Sequence, residues 1–270
     1  MHELAAQILS LDQTVRHTAI QSAESSTEPE VIAALITLLR DPATGEQPRH
    51  LVADALGKNG QPEAVAALQA GTADPDEIYR GLCACGLGHI PTAESVRVLI
   101  GLLADKVNTV RNLAERSLLL MPQPVHEAGF DSLLALLSHP VPLTRSPAAR
   151  LLGLTRDRRA LGPLLDLLQR DKQWLVRMWA VKGLGDLGFD DAFDALADRL
   201  KNDDKNRVRA AAAEAIGKLH HLEAETVLAA AQSDADGGVR QHAEESLAKL
   251  RRARHGHDEP EAHHEPHFED

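Results

Sequence analysis

Cysteine and aromatic residues are scarce in this sequence of 270 residues. Cysteine occurs twice, at Cys83 and Cys85, and aromatic residues make up 3% of the chain. Two cysteines so close together do not form the disulfide framework of a small secreted domain, so we expect a protein of the cytosol. Because aromatic side chains are few, leucine, alanine, valine and isoleucine must supply the core.

Long apolar runs and positive charge are also lacking. No apolar run approaches the ~18–20 residues that a membrane-spanning helix needs, and the N-terminal MHELAAQILSLDQT has no basic start typical of a signal peptide. We therefore expect no membrane association. The net charge of −11 argues against binding to a polyanion, so a nucleic-acid partner is not expected either.

The C-terminal residues 255–270, HGHDEPEAHHEPHFED, differ from the rest of the chain. They contain no lysine or arginine, and acidic residues alternate with histidines. This composition predicts a disordered acidic tail, which leaves residues 1–254 as the folded domain. The tail histidines are weak candidates for binding a metal ion, and they are His255, His257, His263, His264 and His267.

An arginine recurs along the folded domain at intervals of 31 to 34 residues. The eight copies are Arg16, Arg49, Arg80, Arg111, Arg145, Arg177, Arg209 and Arg240. In five copies an aspartate stands six positions before the arginine, and these residues are Asp74, Asp105, Asp171, Asp203 and Asp234. His139 takes that place in the fifth copy. Between the arginine segments lie second segments with leucine at helical spacing, such as 29–41 and 160–171.

Two helices in each repeat of about 32 residues predict an all-α solenoid of about eight helix pairs. The recurring pattern D-x-x-x-x-V-R-x-x-A-x-x-x-L-G resembles the HEAT-repeat family, and in particular its short bacterial type, also called phycobilisome-lyase HEAT-like repeats. The resemblance covers roughly residues 2–254 and implies a right-handed superhelix. It also implies that the repeated Asp and Arg residues form a structural ladder, comprising Arg80, Arg111, Arg177, Arg209, Arg240, Asp74, Asp105, Asp171, Asp203 and Asp234.

The position three residues after each arginine is small, with alanine in six of the eight copies. We expect this alanine column to let the arginine helix approach its neighbours closely, while the leucines seven residues after the arginine supply bulk. Cys83 falls in the alanine column and is expected in the core. Cys85 faces outward and is a candidate reactive thiol.

The resemblance places the arginine helices on the concave face of the solenoid. The position five residues after the arginine points outward there, and it holds Arg116, Arg150 and Lys182 in three consecutive copies. These cations predict a positive ridge for an anionic or acidic partner. The alternative interpretation is that they only solvate an exposed helix face.

Both tryptophans lie in the sixth copy, within DKQWLVRMWAV. Trp174 and Met178 are four residues apart on the outward side, which indicates a contact point for a partner. Alternatively, Trp174 covers the junction with the fifth copy. Trp179 stands two residues after its arginine, a position that holds Leu51, Leu82, Leu113 and Ala211 in other copies, and it is expected in the core.

No catalytic motif is assembled in the sequence. Deoxyhypusine hydroxylases are HEAT-type iron enzymes with His–Glu pairs on successive repeats, whereas the pairs here, at positions 2, 126 and 264, fall in unmatched places. HExxH helices and phosphate-binding glycine loops are absent as well. HEAT-like alkylpurine DNA glycosylases bind DNA in a cationic groove, a function that the net charge of −11 opposes.

We therefore predict a non-enzymatic scaffold or adaptor, monomeric and without a cofactor, that binds a protein partner on its concave face. The predicted contacts are Arg116, Arg150, Lys182, Trp174 and Met178. The alternative is a lyase-like or cofactor-delivery subunit acting on a tetrapyrrole- or metal-containing protein, because phycobilin lyase subunits share this repeat type.

Overall fold

The structure is a computed structural model that describes residues 3–255, with side chains described as far as residue 253. The acidic tail predicted for 255–270, with its candidate metal-binding histidines, lies outside the described side chains. The contacts divide the chain into two compact units, residues 1–163 and residues 164–270. Within residues 3–255 no helix is long and apolar enough to cross a membrane.

Residues 3–255 are all-α and form eight consecutive helix pairs, as predicted. In the first unit the pairs are α1 (Glu3–Ile8) with α2 (Gln13–Ser22), α3 (Pro29–Arg40) with α4 (Glu46–Asn59), α5 (Pro62–Gly71) with α6 (Glu77–Leu87), and α7 (Ala93–Leu102) with α8 (Asn108–Leu119). A fifth pair joins α9 (Pro122–Pro124), a π-helical segment (Val125–Gly129) and α10 (Phe130–Leu136) to α11 (Pro142–Leu154).

The remaining three pairs have the same design. They are α12 (Leu161–Arg170) with α13 (Trp174–Leu187), α14 (Phe193–Asn202) with α15 (Asn206–Ile216), and α16 (Ala224–Ala231) with α17 (Gly237–His255). The first residues of α12 belong to the first unit, and the rest of these helices form the second unit. We call the second member of each pair its arginine helix, because each carries one copy of the repeated arginine.

Small residues allow neighbouring arginine helices to pack closely within each unit. All eight members of the alanine column are at most 2% exposed, including Val52, Cys83 and Ala212. At Gly86 of α6 an added Cβ atom would lie 2.7 Å from the carbonyl oxygen of Ala53 in α4, so these two helices meet almost backbone to backbone. The leucine column is buried beside them and fills the space between helix pairs.

At three places the repeated arginine connects its repeat to the next one. Nη1 of Arg80 donates to the carbonyl oxygen of Asp74 in its own repeat at 2.8 Å. Nε and Nη2 of Arg80 donate to the two carboxylate oxygens of Asp105 in the following repeat, at 2.9 and 3.1 Å. Asp105 in turn accepts the backbone N–H of Val107 at 2.7 Å, which fixes the start of its own arginine helix. One guanidinium therefore holds two repeats in register.

The second unit repeats this arrangement at two positions. Arg177 donates Nε and Nη2 to Asp203 at 2.8 and 2.9 Å, and Arg209 does the same to Asp234 at 2.9 and 3.0 Å. Burial opposes the charged form of Asp203, but hydrogen bonds from Arg177 and from the backbone of Lys205 hold the pKa of this carboxyl below its usual value. The pairs are therefore ionised and bidentate.

Arg111 lacks the carboxylate that Arg80, Arg177 and Arg209 have. His139 stands where the next repeat would supply the aspartate, and its Nδ1 accepts the backbone N–H of Val141 at 3.2 Å. Arg111 keeps its bonds to the carbonyl oxygen of Asp105 and to Asn108, at 2.6 and 3.1 Å. Its Nε atom is buried and has no hydrogen-bond partner within the described residues. The junction between the fourth and fifth repeats thus contains an uncompensated guanidinium.

Overpacking tests the alanine column. We expect Ala212→Leu to lower the free energy of unfolding by about 1–3 kcal/mol, because α15 has no room for the extra methyl groups. Ala210→Leu is the matched control on the same helix, since Ala210 is only half-buried. Urea unfolding followed by circular dichroism measures both variants. Equal stability of the two would contradict this account of the column.

Restoring the missing carboxylate tests the role of the arginine contact. We expect His139→Asp to raise the free energy of unfolding by about 1.5–3 kcal/mol, the range for a hydrogen bond to a charged group. The backbone accepts the change, because Asp74–Pro75 in an earlier repeat has the same sequence context as His139–Pro140. The neutral variant His139→Asn is the control. If urea unfolding shows Asn to be as stabilising as Asp, charge at this junction is not what is missing.

Candidate functional site

The position five residues after each repeated arginine forms a column that is accessible to solvent. None of its members is buried, and they are Gln21, Asp54, Cys85, Arg116, Arg150, Lys182, Glu214 and Glu245. We call this set the outward column. Arg116 and Arg150 belong to the first unit, and Lys182 belongs to the second.

The two arginines of the first unit differ in their surroundings. Arg150 of α11 forms an ion pair with Glu115 of α8, with 3.0 Å between Nη1 and Oε1. Arg116 is exposed and makes no ion pair or side-chain hydrogen bond with residues 3–253. The sequence indicated neither feature, because Glu115 lies 35 positions from its partner and outside the outward column. Arg116 is therefore available to an external anion.

Lys182 of the second unit lies within a chain of alternating charges. Its Nζ atom is 3.8 Å from Oε2 of Glu214, and Lys218 bridges Glu214 and Asp186 at 3.2 and 2.9 Å. Burial opposes ionisation of Glu214, but Lys218 and Lys182 hold the pKa of its carboxyl below the usual value. Carboxylates thus compensate much of the positive charge that the sequence places here.

Each tryptophan of α13 lies beside a cation. The Nζ atom of Lys182 lies 5.4 Å from the centroid of the Trp179 ring, and the guanidinium of Arg207 lies 5.5 Å from the centroid of the Trp174 ring. Trp174 and Met178 are half-buried, and so is Trp179, which the sequence assigned to the core. The position two residues after the arginine, which supported this assignment, varies in depth. Leu51 and Leu113 are half-buried there, whereas Leu82 and Ala211 are buried. Sequence position alone does not reveal how deep such a column lies.

The two cysteines are both shielded. Cys83 is fully buried and Cys85 is half-buried. Burial raises the pKa of the Cys83 thiol to about 12 and that of the Cys85 thiol to about 11. Neither thiol is appreciably ionised at neutral pH, so the environment does not favour Cys85 as a nucleophile.

A polar cluster that the sequence did not predict lies in the fifth repeat. Nε2 of His126, on the π-helical segment, is 3.2 Å from Oδ2 of Asp157. Hydrogen bonds from the side chain and backbone of Arg159 hold the pKa of Asp157 well below its usual range. The Arg159 guanidinium also lies 4.1 Å from the centroid of the Phe130 ring. Glu127 does not join this cluster but accepts from Gln123 at 3.0 Å.

No group of three or more His, Cys, Asp or Glu side chains is placed to hold a metal ion among the described residues.

Comparisons with known proteins agree with the fold. A family model described as HEAT repeats matches residues 3–84, 46–119, 130–217 and 179–248. A search of the curated proteins finds no match.

Several solved structures are similar to this chain. YibA of Escherichia coli has a TM-score of 0.54 at 18% sequence identity, covering 93% of this chain and 92% of that one. Kap95p, in a structure with RanGDP, has a TM-score of 0.62 at 13% identity, covering 92% and 40%. The CpcE–CpcF complex of phycocyanin lyase from Nostoc has a TM-score of 0.39 at 21% identity, covering 92% and 93%. Identities of this size show the fold alone.

Thiol labelling tests the shielding of the cysteines. A pKa of about 11 leaves about one Cys85 thiol in a thousand ionised at pH 8, so we expect iodoacetamide to modify the native chain far more slowly than the chain in urea. The Cys83→Ala variant isolates Cys85, and alanine is already the residue of that column in six copies. Labelling is measured by intact mass. Rapid modification of Cys85 in the native variant would contradict the expectation.

Proposed function

The chain belongs to the HEAT-repeat family, and on that premise we propose that it is a non-enzymatic scaffold that binds a protein partner through its arginine helices. Stacked helix pairs present a series of equivalent helix faces, which suits recognition of an extended surface. The observation that carries the proposal is the face of α13, where Trp174, Met178 and Lys182 follow one another at intervals of four residues and none is buried. We call these three residues the α13 surface.

The chemistry of the α13 surface suits a protein partner. Tryptophan is enriched among the residues that dominate binding energy, and methionine adapts its shape to different apolar partners. The Arg207 guanidinium, 5.5 Å from the centroid of the Trp174 ring, makes a cation–π contact with it. Lys182 borders the apolar residues with a polar group, and its ion pair with Glu214 weakens the positive potential that it produces.

We propose further that the scaffold is a cytosolic monomer that requires no cofactor. The alternative function is that of a lyase-like or cofactor-delivery subunit. Purification from the native cells distinguishes the two, because a bound tetrapyrrole or transition metal would give the protein visible absorbance. A colourless chain that retains its partner supports the scaffold.

Affinity capture from the native lysate, with mass spectrometry, tests the α13 surface. We expect Trp174→Ala to weaken capture of the main partner about tenfold or more, since truncating a central residue of an interface typically costs at least about 2 kcal/mol. Calorimetric titration with the identified partner then measures the change in Kd.

Leu222→Ala is the matched control, because Leu222 is 85% exposed and lies in the same unit. The triple variant Arg116→Glu, Arg150→Glu, Lys182→Glu tests the contribution of the outward cations. Partner capture that survives both the triple variant and Trp174→Ala would rule out the proposed contact residues.

A further inference from the structure

Two exposed leucines stand at equivalent positions of neighbouring repeats in the first unit. Leu120 and Leu154 lie nine residues after Arg111 and Arg145, and they are 68% and 42% exposed. The same position is polar in every other copy, where it holds Ser25, Lys58, His89, Asp186, Lys218 and Lys249. Leucine in both of the central copies makes this end of α8 and α11 apolar.

An arginine accompanies each of these leucines. Arg116 precedes Leu120 by four residues and Arg150 precedes Leu154 by four, so each pair lies on one side of its helix. The ion pair between Arg150 and Glu115 joins α11 to α8 at this level. The two Arg–Leu pairs therefore lie on adjacent, packed helices.

A third cation lies just beyond the second leucine. Arg156 is exposed, and its φ of 54° places it in the left-handed region. The corresponding positions of the second and sixth repeats hold Gly60 and Gly188, with φ values of 64° and 74°. An arginine is strained where these repeats use glycine, and such strain often marks a functional residue. Arg156 makes no ion pair or side-chain hydrogen bond with residues 3–253.

We propose that these five residues bind an acidic amphipathic segment of a protein partner. We call Arg116, Leu120, Arg150, Leu154 and Arg156 the Arg–Leu patch. Three guanidinium groups attract carboxylates, and Glu115 pairs with one of the three. Burial of the two leucines against apolar side chains of the segment contributes favourable free energy of binding.

The ligand class follows from this pairing of charge and apolar area. It is a segment in which Asp or Glu residues lie about one helical turn from leucine-sized side chains. The chain as a whole carries a charge of −11, so an acidic segment is repelled elsewhere and attracted to the patch. The patch shares Arg116 and Arg150 with the contacts proposed above, but it contains no residue of the α13 surface. Trp174→Ala therefore tests the α13 surface alone, and Leu120→Ser tests the patch alone.

Selection from a phage-displayed library of random peptides, about 16 residues or roughly four helical turns long, tests the ligand class. The bait is the full chain, and peptides that also bind the double variant Leu120→Ser, Leu154→Ser are removed. We expect enrichment of acidic peptides with apolar residues at helical spacing. Enrichment of basic or purely apolar peptides, or no enrichment at all, overturns the proposal.

Fluorescence anisotropy with the best synthetic peptide measures the contribution of each residue. We expect Arg116→Glu and Leu120→Ser each to weaken binding about tenfold, and the binding to weaken as salt rises. Leu222→Ser and Trp174→Ala should leave Kd unchanged, because neither residue is in the patch. Equal loss with Leu222→Ser would show that binding is non-specific.

The variant Arg156→Gly separates a binding role from a structural one. Glycine relieves the left-handed strain, so we expect the melting temperature to stay or rise while peptide affinity falls about three- to tenfold. Unchanged affinity would remove Arg156 from the patch. Light scattering tests a second copy as the occupant. If the chain is a dimer and the double variant Leu120→Ser, Leu154→Ser is a monomer, this face is a contact between copies and the proposal is overturned.

Discussion

The bidentate contact between an arginine and the aspartate of the next repeat is the constraint on which the stacking of this fold depends. The guanidinium of Arg80 or Arg177 is almost fully removed from solvent, so leaving it without a carboxylate would be costly. The aspartate that pairs with the arginine also accepts a backbone N–H at the start of the arginine helix that follows it. One side chain pair therefore sets both the register between repeats and the point at which the following helix begins. The alanine column and the leucine column pack around a spacing that this contact has already fixed.

Because the contact uses the inner side of each arginine helix, the outward positions are free to differ among repeats. Function in such a fold depends on departures from the repeat. In the outward column Arg150, Lys182 and Glu214 form local ion pairs. The departures that remain are few. On α13 they are the two tryptophans, and near the ends of α8 and α11 they are exposed leucines beside arginines. The sequence pattern predicts a continuous positive ridge, but neighbouring helices place carboxylates beside Arg150 and Lys182, two of its three cations.

The fold was predictable from the sequence because its determinants are local and repeated. The arginine period, the small residues three positions later and the leucines seven positions later each appear many times, so single exceptions do not hide them. The candidate site was only partly predictable. Glu115 and Arg150 are 35 residues apart, and nothing in the pattern indicates that they meet. Likewise, the half-buried position of Trp179 and the left-handed backbone of Arg156 depend on packing depth and chain direction, which a one-dimensional pattern does not contain.

The departures from the repeat are not scattered evenly, and their clustering has a physical meaning. Between Arg111 and Arg156 the chain leaves a buried guanidinium without a carboxylate, inserts a π-helical segment, exposes three leucines and strains an arginine. The unpaired Nε of Arg111 and the left-handed Arg156 each cost stability, and other repeats show that the same framework accommodates aspartate, a polar residue or glycine at the equivalent places. Stability therefore does not explain them. Sequences that violate local rules at several neighbouring positions generally do so at functional sites. These departures are what the proposed Arg–Leu patch predicts, because residues selected for binding need not be the ones that pack best.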